Sequence, residues 1–130
     1  MRRPAVDRGA ASTEVVLLTP VLLFLVMLVI QFGLWYHAQS VAQAAAEQGV
    51  ETARANGASA TDGEQRARDF LAAAAPTLVS DTVVTADRDA EVATVTIDGE
   101  SVDLLFGFSF GVHAEASSPV ERFREDDREP

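Results

Sequence analysis

Apolar residues run almost unbroken from Val15 to Tyr36, 22 positions interrupted by only two polar residues, Thr19 and Gln31. As a helix rising ~1.5 Å per residue, the run spans about 33 Å, enough to cross a bilayer core. Pro20 lies inside it and removes the hydrogen bond to the Val16 carbonyl, which predicts a helix kink. Trp35 and Tyr36 end the run with the amphipathic rings that suit an outer interface. Nothing then breaks the helix before Asn56-Gly57, and Val41, Ala42, Ala45, Gly49 and Ala53 share one face at helical spacing. The pattern predicts one continuous helix from Ala11 to Ala55, about 65 Å long.

Past Asn56 to Ala60 the period persists briefly and then changes. Thr61-Asp62-Gly63-Glu64 reads as a capping box. Ala67, Phe70, Leu71 and Ala74 follow at i, i+3, i+4 and i+7, an amphipathic helix stopped by Pro76. From there the alternation is twofold. Thr82, Val84 and Ala86 form one row and Ala93, Val95 and Ile97 a second, with Asp98-Gly99 as a turn signal. The longest row is Leu104, Phe106, Phe108, Phe110, Val112, Ala114 and Ala116, which predicts a strand with one buried face. Its members Leu104 to Val112, packed on Phe70, Leu71, Val95 and Ile97, are the expected core.

The fold class expected is α+β: a long N-terminal transmembrane helix continuing into a small extracytoplasmic domain with a second helix and a three- to four-stranded antiparallel sheet. The chain divides into a leader (1–9), the membrane and extended helix (10–55), a small domain (56–121) and a charged flexible tail (122–130).

Charge adds an orientation. Arg2, Arg3 and Arg8, offset by Asp7, precede the apolar run, and no arginine follows until Arg54. The excess of positive charge puts the N-terminus inside the cytoplasmic membrane and the C-terminal domain outside. Lysine is absent, and from residue 37 onward 18 acids face 7 arginines, a balance of −11. So acidic a domain is unsuited to nucleic acid, which needs cations to displace counterions, and repels an anionic membrane surface.

The order of features before the span carries further information: a basic leader, Gly9, small or polar residues from Ala10 to Thr13, Glu14, then the apolar helix. This resembles the type IV pilin signal. It extends to the TadE-like pseudopilins of tight-adherence pili, through Val15 to Leu18, Pro20, Val21 to Ile30, Gln31-Phe32-Gly33 and the Ala-rich stretch Ala42 to Arg54. Gln31 stands where that family often carries glutamate, and a mature chain would begin with Ala10, a small residue. The resemblance implies cleavage between Gly9 and Ala10 by a prepilin-type peptidase. It also implies an assembly role for Glu14, which would pair with the α-amino group of a neighbouring subunit. The implied function is that of a minor pilin or pseudopilin, with other pilin subunits, the pilus assembly platform and the membrane as partners, and a place in the membrane or the pilus. The alternative is an unprocessed single-pass membrane protein whose acidic outer domain binds a protein partner. A secretory signal cut near Ala44 to Ala46 fits less well, because its apolar region would be longer than the usual ~7–15 residues.

Candidate chemistry is thin. Without cysteine there is no thiolate nucleophile or ligand. Asp87, Asp89 and Glu91 are spaced like the start of a calcium loop, but Val92 occupies the position that needs glycine. His37 and His113 lack partners at metal-ligand spacing. There is no nucleophile elbow and no phosphate loop. No enzymatic activity, metal or cofactor is expected.

Overall fold

The structure is a computed structural model that describes residues 8–104 and 107–122. Helix α1 runs Arg8–Arg54, 47 residues without interruption, about 70 Å at ~1.5 Å per residue. Helix α2 (Ala60–Ala74) follows a short turn. Strands β1 (Val79–Arg88), β2 (Val92–Ser101) and β3 (Gly111–Pro119) form an antiparallel sheet in the order β1-β2-β3. The α+β class holds, with three strands rather than four among the described residues. Most of the expected leader, residues 1–7, and all but the first residue of the expected tail lie outside the described residues.

The first half of α1 leaves its apolar side chains from Val15 to Phe32 largely exposed, whereas the second half buries Ala38, Ala42, Ala45, Ala46, Val50 and Ala53. That difference follows from side-chain size. The second half carries a stripe of alanines and one glycine, so another backbone can approach it closely. Helix α2 does so at its start. A Cβ on Gly63 would stand 2.6 Å from the Ala53 Cβ and 2.7 Å from the Gly49 carbonyl oxygen, and one on Gly49 would stand 2.9 Å from the Gly63 carbonyl oxygen. Gly63→Ala is therefore expected to force the helices apart and destabilise the domain by about 1–3 kcal/mol, the usual range for overpacking. Denaturant unfolding of the full chain in detergent micelles, beside Ala72→Gly as an exposed α2 control, checks this.

The N-cap of α2 is Ser59, two residues before the expected Thr61. Asp62 N–H donates to the Ser59 hydroxyl at 3.2 Å, and the Asp62 carboxylate accepts from Ser59 N–H at 2.7 Å. The Ser59 hydroxyl also donates to Asp62, which holds that carboxyl below the usual carboxylate range. Thr61-x-x-Glu64 matched the motif, but Glu64 instead pairs with Arg68 one turn on. Ala74, expected on the buried stripe, is exposed, and Ala75 is buried as the chain leaves the helix.

Two further expectations fail in the sheet. Asp98-Gly99 is not a turn but lies inside β2, opposite His113 and Val112. Gly99 suits the close approach of β1 there: a Cβ on it would stand 2.8 Å from Val79 Cγ1 and 3.1 Å from the Ser80 carbonyl oxygen, where β1 shifts register between Ser80 and Val83. The aromatic row is the larger error. Residues 102–104 and 107–110 form no strand, and Leu104, Phe108 and Phe110 are 45, 69 and 48% exposed. Phe106 lies outside the described residues. The core is built from Val84, Ala93, Val95, Ile97, Val112 and Ala114 of the sheet against Leu71, Ala67 and the alanines of α1. Phe70 is only half-buried against it.

The β1–β2 connection is closed by Asp89, whose carboxylate accepts from Glu91 N–H and Val92 N–H at 2.7 Å each. Those bonds hold its carboxyl below the usual range and make Asp89 and Glu91 part of the hairpin connection, while Asp87 lies in β1 opposite Thr94.

Candidate functional site

The N-terminal segment that the sequence singles out is helical. Gly9, Ala10, Glu14 and Pro20 all lie in α1. Ala10 and Glu14 are four residues apart, hence on the same face one turn from each other. Glu14 is exposed. The helix continues through Pro20, and the Thr19 hydroxyl donates to the Val15 carbonyl at 2.7 Å, a back-bond that commonly bends helices. Among the described residues, one helix is long and apolar enough to cross a membrane, by length and composition, and it lies near the N-terminus.

A second constellation was not anticipated. Strand β3 is an edge strand, and its free edge lies along α1. The Trp35 indole N–H donates to the Gly111 carbonyl at 3.0 Å. The Gln39 side-chain amide donates to the His113 carbonyl and accepts from His113 N–H at 3.3 Å. The Gln43 amide donates to the Glu115 carbonyl at 3.4 Å. Four residues of helix advance ~6 Å and two of strand ~6.8 Å, so a four-residue helical repeat keeps step with every second strand residue. The side chains thereby pair backbone groups that an uncovered edge would leave open.

Gln31 begins this ladder and is only 2% exposed. Its Nε2 donates to the Val102 carbonyl at 3.1 Å, and its Oε1 accepts from Leu104 N–H at 3.0 Å. The amide thus acts on segment 102–104 as a strand partner would. A carboxylate could accept from Leu104 but could not donate to Val102, so glutamine satisfies both groups where glutamate would satisfy one.

At the far end Glu121 N–H donates to the Arg54 carbonyl at 3.0 Å, and Arg54 pairs with Glu121 at 3.4 Å and with Glu51 at 2.6 Å. Strand β3 therefore runs alongside α1, from the Trp35 level to the helix C-terminus.

The family model for TadE-like protein matches residues 9–51. Over that segment, a third of its length, the chain is similar to the TadE-like family. The match begins at Gly9 and covers Glu14, Pro20, Gln31 and the ladder residues through Gln43. No curated protein and no solved structure matches the chain. The TadE-like segment is thus the candidate membrane helix together with the part of α1 that carries the domain.

His113 and His37 do not come together. His113 Nδ1 lies 2.6 Å from the Asp98 carboxylate across the β2–β3 pair, a carboxylate partner that sequence spacing did not reveal. The hydrogen bond to Asp98, and then its charge, raise the imidazole pKa above the ordinary value. Stability from this pair is present below the unfolded histidine value and is lost as pH rises through the raised folded one. Both groups are exposed, so solvent screens the effect.

Proposed function

We propose that the protein is a minor pilin or pseudopilin acting in assembly of a tight-adherence type IV-like pilus, cut after Gly9 by a prepilin-type peptidase. The observation that carries this reading is the placement of Gly9, Ala10 and Glu14 at the head of the candidate span, inside the TadE-like match. The uninterrupted α1, half exposed and apolar and half clasped to an acidic domain, supports it as the shape of a pilin subunit. The arginine bias before the span supports a cytoplasmic N-terminus and an outer domain.

Cleavage creates an α-amino group on Ala10, at the end of a helix whose dipole is positive there. That charge is unfavourable unless a carboxylate approaches. A neighbouring subunit's Glu14 supplies one, and in a low-dielectric setting the pair fixes the axial offset between two helices. Glu14 thus couples processing to assembly, with the other subunits and the assembly platform as partners.

Glu14→Gln keeps the shape and removes the charge. The variant is expected to insert and be cut as the wild type is. A charged hydrogen bond contributes about 1.5–3 kcal/mol, so helix–helix association should weaken roughly 10- to 100-fold. Crosslinking between subunits and pilus yield read that loss. Wild-type values from a fully cut Glu14→Gln chain would leave Glu14 as no more than a marker of the interface.

A further inference from the structure

The exposed apolar side chains of the β2–β3 connection have a definite height along α1. Gln31 binds Val102 and Leu104, and Trp35 binds Gly111, so both ends of the connection are fastened to the last turns of the apolar run. Tyr36 ends that run, and Gln31 lies five residues before it, about 7 Å deeper along the helix axis. The connection therefore does not stop at the level of the interfacial aromatics. It reaches below them, beside Leu28 and Phe32, where a groove of about 460 Å³ lies between Phe110 and the helix.

The chemistry of the connection suits that depth. Leu104, Phe108 and Phe110 are exposed, and Phe108 is the most exposed of the three at 69%. Two carboxylates lie at this level and are bonded within it: Asp103 accepts from Gly107 N–H at 2.6 Å and Glu100 from the Ser109 hydroxyl at 2.7 Å. The β1–β2 turn with Asp89 and Glu91 is at the opposite end of the sheet, near the C-terminus of α1, where Arg88 donates to the Ala55 carbonyl. The buried Gln31 amide satisfies the backbone groups of Val102 and Leu104 that would otherwise enter hydrocarbon unpaired, which lipid does not tolerate.

We infer that Leu104, Phe108 and Phe110 are a second membrane contact, a wedge inserted into the acyl-chain region of the outer leaflet beside the span. The groove between Phe110 and Leu28 holds lipid acyl chain. Two contacts instead of one fix the tilt and rotation of the outer domain on the membrane, which a single helix leaves free. The inference rests on α1 crossing the membrane.

The chain contains no cysteine, so single cysteines report single positions. Full-length chain carrying a nitroxide at Phe108→Cys is reconstituted into vesicles of phosphatidylethanolamine and phosphatidylglycerol. Leu22→Cys serves as the reference for the span and Ala90→Cys as the reference for the exposed distal turn. Phe108→Cys is expected to collide with oxygen as Leu22→Cys does, and to lose the collisions with an aqueous nickel chelate that Ala90→Cys shows. Nickel collisions at Phe108→Cys equal to those at Ala90→Cys would overturn the wedge while leaving the span intact. Shielding from both reagents, with dipolar broadening between labels, would mean that a second copy covers the patch and would overturn it too. A water-exposed Leu22→Cys would instead remove the span, and the wedge with it.

Discussion

Ile97→Ala is expected to destabilise the outer domain by about 2–5 kcal/mol, the range for truncating a buried isoleucine. Ile97 is fully buried at the centre of the middle strand, opposite buried Val84 on one side and buried Ala114 on the other. The helix face above it is made of alanines, which are too short to move into the space left behind. The cost should therefore fall toward the upper part of that range, a large fraction of the ~5–15 kcal/mol that holds a small domain together. The informative control is Phe108→Ala. On alternation alone, Phe108 is a core residue whose loss would unfold the domain. At 69% exposure its truncation should change stability by less than about 0.5 kcal/mol. Trypsin cleavage after Arg68 and Arg88, followed in rising urea on the full chain in detergent micelles, reads unfolding of the domain without the signal of the long helix. Comparable shifts for the two variants would mean that the core is not centred on β2.

Gly9→Leu should abolish processing, the largest functional effect of any single change. The bond after Gly9 lies in the first turn of α1, and a peptidase must open that turn to reach extended backbone. Glycine makes opening easier, since it is about 1 kcal/mol less favourable than alanine in a helix. It also leaves the scissile carbonyl unobstructed. A leucine strengthens the turn and adds bulk beside the carbonyl, and misplacing a reacting group by about 1 Å is enough to lose on the order of 10²-fold in rate. Mass determination of the membrane-extracted chain should find wild type beginning at Ala10 and Gly9→Leu still carrying residues 1–9, with both inserted. An intact leader on the wild-type chain, beside an active peptidase from the same host, would favour the unprocessed membrane-protein reading.

The long helix was legible because it is local. Twenty-two positions of apolar side chain and an alanine stripe specify their own geometry, with no reference to what packs on them. The second helix and the strands of β1 and β2 followed for the same reason. The ladder was harder to see. Gln31, Trp35, Gln39 and Gln43 repeat every four residues, but by local pattern Gln31 reads only as a polar interruption of the span and Trp35 as an interfacial ring. What they bind is backbone about 70 residues away, and backbone acceptors leave no mark in a sequence.

Alternation failed at Leu104, Phe108 and Phe110 because it reports two-faced environments without saying which face is wet. A strand with a buried row and a loop that offers apolar residues to a membrane have the same pattern. The sequence by itself determined the long apolar helix that is the candidate span, the Gly9-to-Glu14 order and the α+β class, each set by periodicity or by neighbours within a turn. Tertiary structure alone decided where the domain sits on the helix. That position depends on the close approach of Gly49 to Gly63 and on the match in rise between α1 and β3. Both are relations between segments distant in the chain, and together they hold Leu104, Phe108 and Phe110 at the Gln31–Trp35 end of the domain rather than in its core.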